Sequence, residues 1–173
     1  LLPYSDNSSH PMTQQKEASV LRLINSYRVS GHKMADVDPI SYRPRPNVPD
    51  LDLSYHNLSE SDMDTTFMTG SLQVSDPQKL KDIITLLKAT YTHHLGCEYM
   101  HITDIAQREW IQARIEKTGS DYLADKDRKV RLLKELTKAE GMEKYLHTKF
   151  VGQKRFSLEG GDSLIPQLSE LIL

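Results

Sequence analysis

Gln153-Lys154-Arg155-Phe156-Ser157-Leu158-Glu159-Gly160-Gly161-Asp162-Ser163-Leu164-Ile165-Pro166 sets two cations, an aromatic and a Gly-Gly-Asp turn directly before an apolar helix. Paired glycines open backbone dihedrals that other residues avoid. Proline is tolerated only in the first turn of a helix, so Pro166 places the N-cap at Ser163 and leaves Gly160-Gly161 to the approach. The helix launched there carries Ile165, Leu168 and Ile172 on one face. Everything upstream reads as helical support for this turn, which makes the chain mainly α.

Working outward to the N-terminus, residues 1–12 lack an apolar period and read as a flexible arm or linker. Val20, Leu23, Ile24 and Tyr27 then recur at helical spacing, and Gly31 offers a left-handed stop after Ser30. The Asp38-Pro39 corner and the prolines at 44, 46 and 49 forbid helix interior and sheet ladder alike, predicting a long extended connection. Ser59-Glu60-Ser61-Asp62 has capping-box spacing and predicts a short helix to about Phe67. Asp76-Pro77 predicts another helix start, with Leu80, Ile83, Ile84, Leu87 and Tyr91 as an apolar stripe ending near Gly96. Cys97 to Ile102 alternates and is the one expected strand. Thr103 or Asp104 caps a helix carrying Trp110, Ile111 and Ile115, closing before Gly119. From about Ala124 to Lys138 an amphipathic helix carries Val130, Leu133 and Leu136, and after Gly141 a second piece turns Met142, Tyr145, Leu146 and Phe150 inward. The expected organisation is an arm over 1–12, a helical N-terminal domain over 13–150 and the start of another domain over 151–173.

Composition narrows the function classes. A net charge of -2 with both signs interspersed argues against a nucleic-acid surface. No stretch approaches the roughly 20 apolar residues of a membrane span. The single cysteine, Cys97, cannot form an internal disulfide, which suits a reducing compartment.

Among residues that can do chemistry, His93, His94, Cys97 and His101 are metal-ligand types, but they straddle a helix end, a glycine and a strand, and read as packing and surface residues. Cys97 lacks the cationic flank that would activate a thiolate. Asp36 and Asp38 flank a valine before a proline and read as turn formers rather than cation ligands. Lys154 and Arg155 can clamp a carboxylate or phosphate, although such a pair is usually a solvated face. Phosphate-loop and dinucleotide fingerprints are absent from these 173 residues, and no Ser/His/Asp arrangement stands out.

Five words in order carry a resemblance: Leu23-Ile24-Asn25-Ser26-Tyr27-Arg28-Val29-Ser30-Gly31-His32, Asp38-Pro39, Glu98-Tyr99-Met100-His101-Ile102, Arg108-Glu109-Trp110-Ile111-Gln112, and Lys154 to Pro166. Together the chain resembles the 2-oxoglutarate dehydrogenase family of thiamine-diphosphate-dependent decarboxylating components, the bacterial type most nearly, from about Lys16 onward. That resemblance implies a long homodimeric chain with thiamine diphosphate and Mg2+ between transketolase-like α/β domains. The reaction implied is decarboxylation of 2-oxoglutarate with transfer of succinyl to the lipoyl group of a dihydrolipoyl succinyltransferase, lipoamide dehydrogenase being the other partner. It also implies a cytoplasmic location, or the mitochondrial matrix in a eukaryote. The Gly-Asp-Gly to Asn-Asn cofactor motif of the family does not occur here, so these residues are expected to be an N-terminal piece that ends at the first helix of a thiamine-diphosphate-binding domain, inactive alone and holding no cofactor. One residue matches a family position near the substrate: Phe156, expected to line the acyl pocket, with a core plug between helices as the alternative. Lys154, Arg155 and Glu159 are expected chiefly to set the turn, with direct substrate binding by Lys154 and Arg155 as the alternative. A non-catalytic helical docking module of the same complex is the competing function.

Overall fold

The computed structural model describes residues 11–38, 40, 42, 44–119 and 125–172. Most of the arm expected over 1–12, Pro39 of the predicted corner, and Ala124 lie outside the described residues. The polypeptide divides into two compact units, Leu1–Asp121 and Tyr122–Leu173.

The first unit is built on α1 (Pro11–Ser30) and α2 (Leu80–Tyr91), which pack together. Their apolar stripes meet as the spacing predicts, with Val20, Leu23, Ile24 and Tyr27 of α1 and Leu80, Ile83, Ile84, Leu87 and Tyr91 of α2 all buried. Leu58, Phe67, Leu72 and Tyr99 complete that core. Gly31 follows α1, but as the first residue of a 3-10 turn, Gly31–Met34, and without a left-handed φ. The requirement for glycine is steric: a Cβ there would stand 2.6 Å from Cβ of Tyr91, so only glycine lets the end of α1 lie against the end of α2. Residues 35–38 and 44–48 follow without regular structure, as the prolines dictate.

Further expectations need correction. The capping box forms, Ser59 N–H donating to Asp62 at 3.0 Å, yet it launches only a 3-10 turn, Glu60–Asp62, and Phe67 lies instead in strand β1 (Thr66–Phe67). β1 pairs antiparallel with β2 (Gln78–Lys79), Thr66 opposite Lys79 and Phe67 opposite Gln78. The helix expected to begin at Pro77 therefore begins at Leu80. Asp76 is occupied elsewhere, accepting the Thr69 N–H at 2.7 Å, and the first free N–H groups of α2, at Leu80 and Lys81, donate to the Thr65 and Met63 carbonyls. The strand expected over Cys97–Ile102 is a turn, Ile102 N–H bonding the Tyr99 carbonyl, because Tyr99 is drawn inward to Tyr91. Asp104 caps α3 (Ile105–Thr118) by accepting the Gln107 N–H at 3.0 Å. Ile111 and Ile115 pack on the core, whereas Trp110 is 65% exposed with Arg114 over its ring.

In the second unit the break expected at Gly141 is absent. α4 runs unbroken from Lys126 to Lys149, capped by Asp125, and no residue of it is buried. Of the residues expected inward, Leu146 is half-buried, while Met142, Tyr145 and Phe150 are exposed. α5 (Leu164–Ile172) begins as predicted, Pro166 in its first turn and the Ser163 carbonyl accepting the Gln167 N–H at 3.2 Å. Its inward face is different from the expected one: Pro166 is buried and Ile165 half-buried, while Leu168 and Ile172 are exposed. The link from α5 to α4 is ionic, Glu170 pairing with both Arg128 and Arg131. Among the described residues no helix is long and apolar enough to cross a membrane.

Candidate functional site

The residues singled out at 154–159 lie along α4. Gly160, at φ 85°, turns the chain, and the Gly161 N–H returns to the Leu158 carbonyl at 2.6 Å, folding 158–161 into a tight loop before α5. Arg155 is half-buried and donates to Nδ1 of His147 at 2.9 Å. A guanidinium only donates, so that ring nitrogen accepts. Lys154 is exposed and Phe156 is 95% exposed. Glu143 holds the residues next to it, its carboxylate accepting the Ser157 hydroxyl at 2.8 Å and the Leu158 N–H at 3.1 Å. Those two bonds, the backbone one foremost, hold the Glu143 carboxyl below its ordinary range.

Between α4 and this segment lies an open cleft of about 650 Å³. Arg155 and Lys144 line it, but so do Glu140, Glu143, Glu159 and Asp162, and Lys144 is already paired with Glu140 at 2.6 Å. Acidic groups outnumber cations in that lining. The arrangement is suited to fixing a turn.

In the first unit the structure assembles a polar cluster that no motif announced. Glu116 of α3, 3% exposed, accepts from Arg28 Nε at 2.7 Å, from the Tyr91 hydroxyl at 2.8 Å and from the Gln73 N–H at 3.3 Å. Since Tyr91 donates to Glu116, it accepts from the Tyr99 hydroxyl at 2.8 Å. Arg28 also reaches Ser71 at 3.0 Å, leaving one buried Nη2 without a partner. Burial by itself would lower the Arg28 guanidinium, but the bond to Glu116 and its charge leave it above its ordinary value. Burial, then Glu116, pushes the Tyr91 phenol far up, so it stays protonated as a donor. The cluster ties α1, α2, α3 and the 71–73 loop together and is a structural clamp.

The other candidates do not converge. The rings of His93 and His94 meet edge to face at 4.0 Å, and His94 Nδ1 lies 3.1 Å from the Asp36 carbonyl. Cys97 is half-buried and burial raises its thiol. Asp36 pairs with Arg45 at 2.8 Å, and Asp38 accepts the Ile40 and Tyr42 N–H groups, a turn former as predicted. Among the described residues no three His, Cys, Asp or Glu side chains come together to hold a metal ion.

No protein-family model matches the chain. It is 39% identical over 171 residues to the 2-oxoglutarate dehydrogenase E1 component of Azotobacter vinelandii, covering 98% of this chain and 18% of that protein. The E1 component of Cupriavidus necator is 41% identical, covering 91% of this chain and 17% of the relative. That of Coxiella burnetii is 42% identical, covering 90% and 17%. The chain thus spans less than a fifth of the length of the curated relatives it matches.

Proposed function

Since this chain is related over nearly its whole length to a segment of the 2-oxoglutarate dehydrogenase E1 components, we propose that it is a stretch of such a component. The whole protein then decarboxylates 2-oxoglutarate oxidatively, with thiamine diphosphate and Mg2+ bound by residues outside this chain. It passes succinyl to the lipoyl group of a dihydrolipoyl succinyltransferase and works with lipoamide dehydrogenase, as a homodimer in the bacterial cytoplasm. The observation that carries this reading is about 40% identity maintained over at least nine-tenths of the chain to E1 components from several bacteria.

This segment contributes two things to that activity. The core-bearing unit is a helical scaffold clamped by Arg28 and Glu116. The turn at 154–159, leading into what would be a transketolase-like α/β domain, presents Phe156 as an aromatic wall of the acyl pocket, where it excludes water and shapes the space around the substrate methylenes. Phe156 is 95% exposed in this chain, which leaves its ring free to meet the rest of such a pocket. Lys154 and Arg155 support the turn.

Full-length protein supplied with thiamine diphosphate and Mg2+ is expected to release carbon dioxide from 2-oxoglutarate, and the 173-residue chain alone is not. A full-length protein inert toward 2-oxoglutarate would overturn the activity, and decarboxylation by the short chain would overturn the placement of the reacting groups outside it. A second reading, a docking module without catalytic contribution, is favoured by the exposed Val130, Leu133, Met142 and Tyr145 of α4. It predicts that the short chain retains the acyltransferase on an affinity column and that Phe156→Ala leaves turnover untouched.

A further inference from the structure

Phe156 makes no packing contact that would fix its place, yet the residues on both sides of it are tied to one helix. Behind it, Arg155 reaches His147 at 2.9 Å. Ahead of it, Ser157 and Leu158 both bond the Glu143 carboxylate, at 2.8 and 3.1 Å. Glu143 and His147 are four residues apart on α4 and so share a face. The Ser157 hydroxyl is used twice, donating to Glu143 and accepting the Glu159 N–H at 3.0 Å, which carries the hold onward into the Gly160 loop. Two oxygens of one side chain thus fix two consecutive residues, a geometry that a single-acceptor side chain cannot reproduce. An aromatic that must meet a substrate within a fraction of an ångström needs such support, because an exposed turn otherwise samples many conformers.

We propose that Glu143 is a positioning residue for Phe156, acting through the Ser157 hydroxyl and the Leu158 N–H; this rests on the reading of Phe156 as a wall of the substrate pocket. Glu143 touches no substrate. The neighbouring charges agree with the role: Lys144 is engaged by Glu140, and Arg155, the cation that further favours an ionised Glu143, is held by His147.

The test uses the full-length protein with Glu143→Ala, Glu143→Gln, Phe156→Ala and the Ala/Ala double variant. Amide hydrogen exchange over 157–159 is expected to quicken about threefold or more in Glu143→Ala. KM for 2-oxoglutarate is expected to rise in Glu143→Ala with kcat changed less. The double variant should be no worse than Phe156→Ala, since one residue acts through the other. Glu143→Gln keeps one acceptor oxygen and is expected to restore part of both readouts. Unchanged exchange in Glu143→Ala overturns the inference, as do kinetic effects that add fully in the double variant. A normal KM in Phe156→Ala with quickened exchange in Glu143→Ala instead sinks the pocket reading on which it rests, so the two failures are distinguishable.

Discussion

Helix α2 runs for 12 residues and buries six of them, Leu80, Ile83, Ile84, Leu87, Thr90 and Tyr91, whereas α4 runs for 24 and buries none. The first unit is held by apolar burial around a buried ion pair. The second is held by surface pairs such as Glu170 with Arg128 and Arg131, and by the Glu143 bonds to the Ser157 hydroxyl and the Leu158 N–H. Surface pairs contribute little each, so the contrast teaches that one unit carries its own stability and the other carries shape.

The strongest challenge to that contrast is Glu116→Ala. It leaves the Arg28 charge buried without its partner, and urea denaturation of the chain is expected to read a loss of about 3–5 kcal/mol. A loss under about 1 kcal/mol would mean the cluster is wet and the first unit looser than described. Next is Leu87→Ala, fully buried between α1 and α2, with an expected loss of about 3 kcal/mol by the same measurement. Leu133→Ala on α4 is the smallest, within about 0.5 kcal/mol, its side chain being 64% exposed. A large effect there would erase the distinction between the units.

A pH series sharpens it further. The Lys16 bond, with those from Ser59, holds the Asp62 carboxyl below its ordinary value. A carboxyl depressed in the folded state adds stability that is fully present above the unfolded value of about 3.9 and is lost as pH falls through the lower folded value. The penalty of Asp62→Asn, read as a shift in urea midpoint, is therefore expected at pH 7 and should shrink below about pH 4. A penalty constant with pH would place the stabilisation elsewhere than in the charge.

What was legible in the sequence follows the same division. Helix stripes that bury one face, Val20 to Tyr27 and Leu80 to Tyr91, carry a period that residue order exposes directly. Local hydrogen bonds were legible too, as in the Ser59–Asp62 box and the Asp104 cap. Interactions between distant residues were not. Glu116 meets Arg28 across 88 positions, and Tyr99 leaves its alternating stretch for Tyr91, neither of which any local pattern encodes. Gly141 misled because one glycine on an exposed helix costs only about 1 kcal/mol and nothing lies within 4 Å of where its Cβ would be. At the site, Arg155 stood out as half of a cation pair and Phe156 through the family resemblance, but Glu143, one of many charges on α4, became visible only through its bonds to Ser157 and Leu158.

The most direct measurement is the steady-state kinetics of full-length protein carrying Phe156→Ala, with its melting temperature taken alongside. If this turn walls the substrate pocket, kcat/KM for 2-oxoglutarate falls roughly tenfold while the melting temperature stays put. Unchanged kcat/KM in a well-folded variant would contradict it.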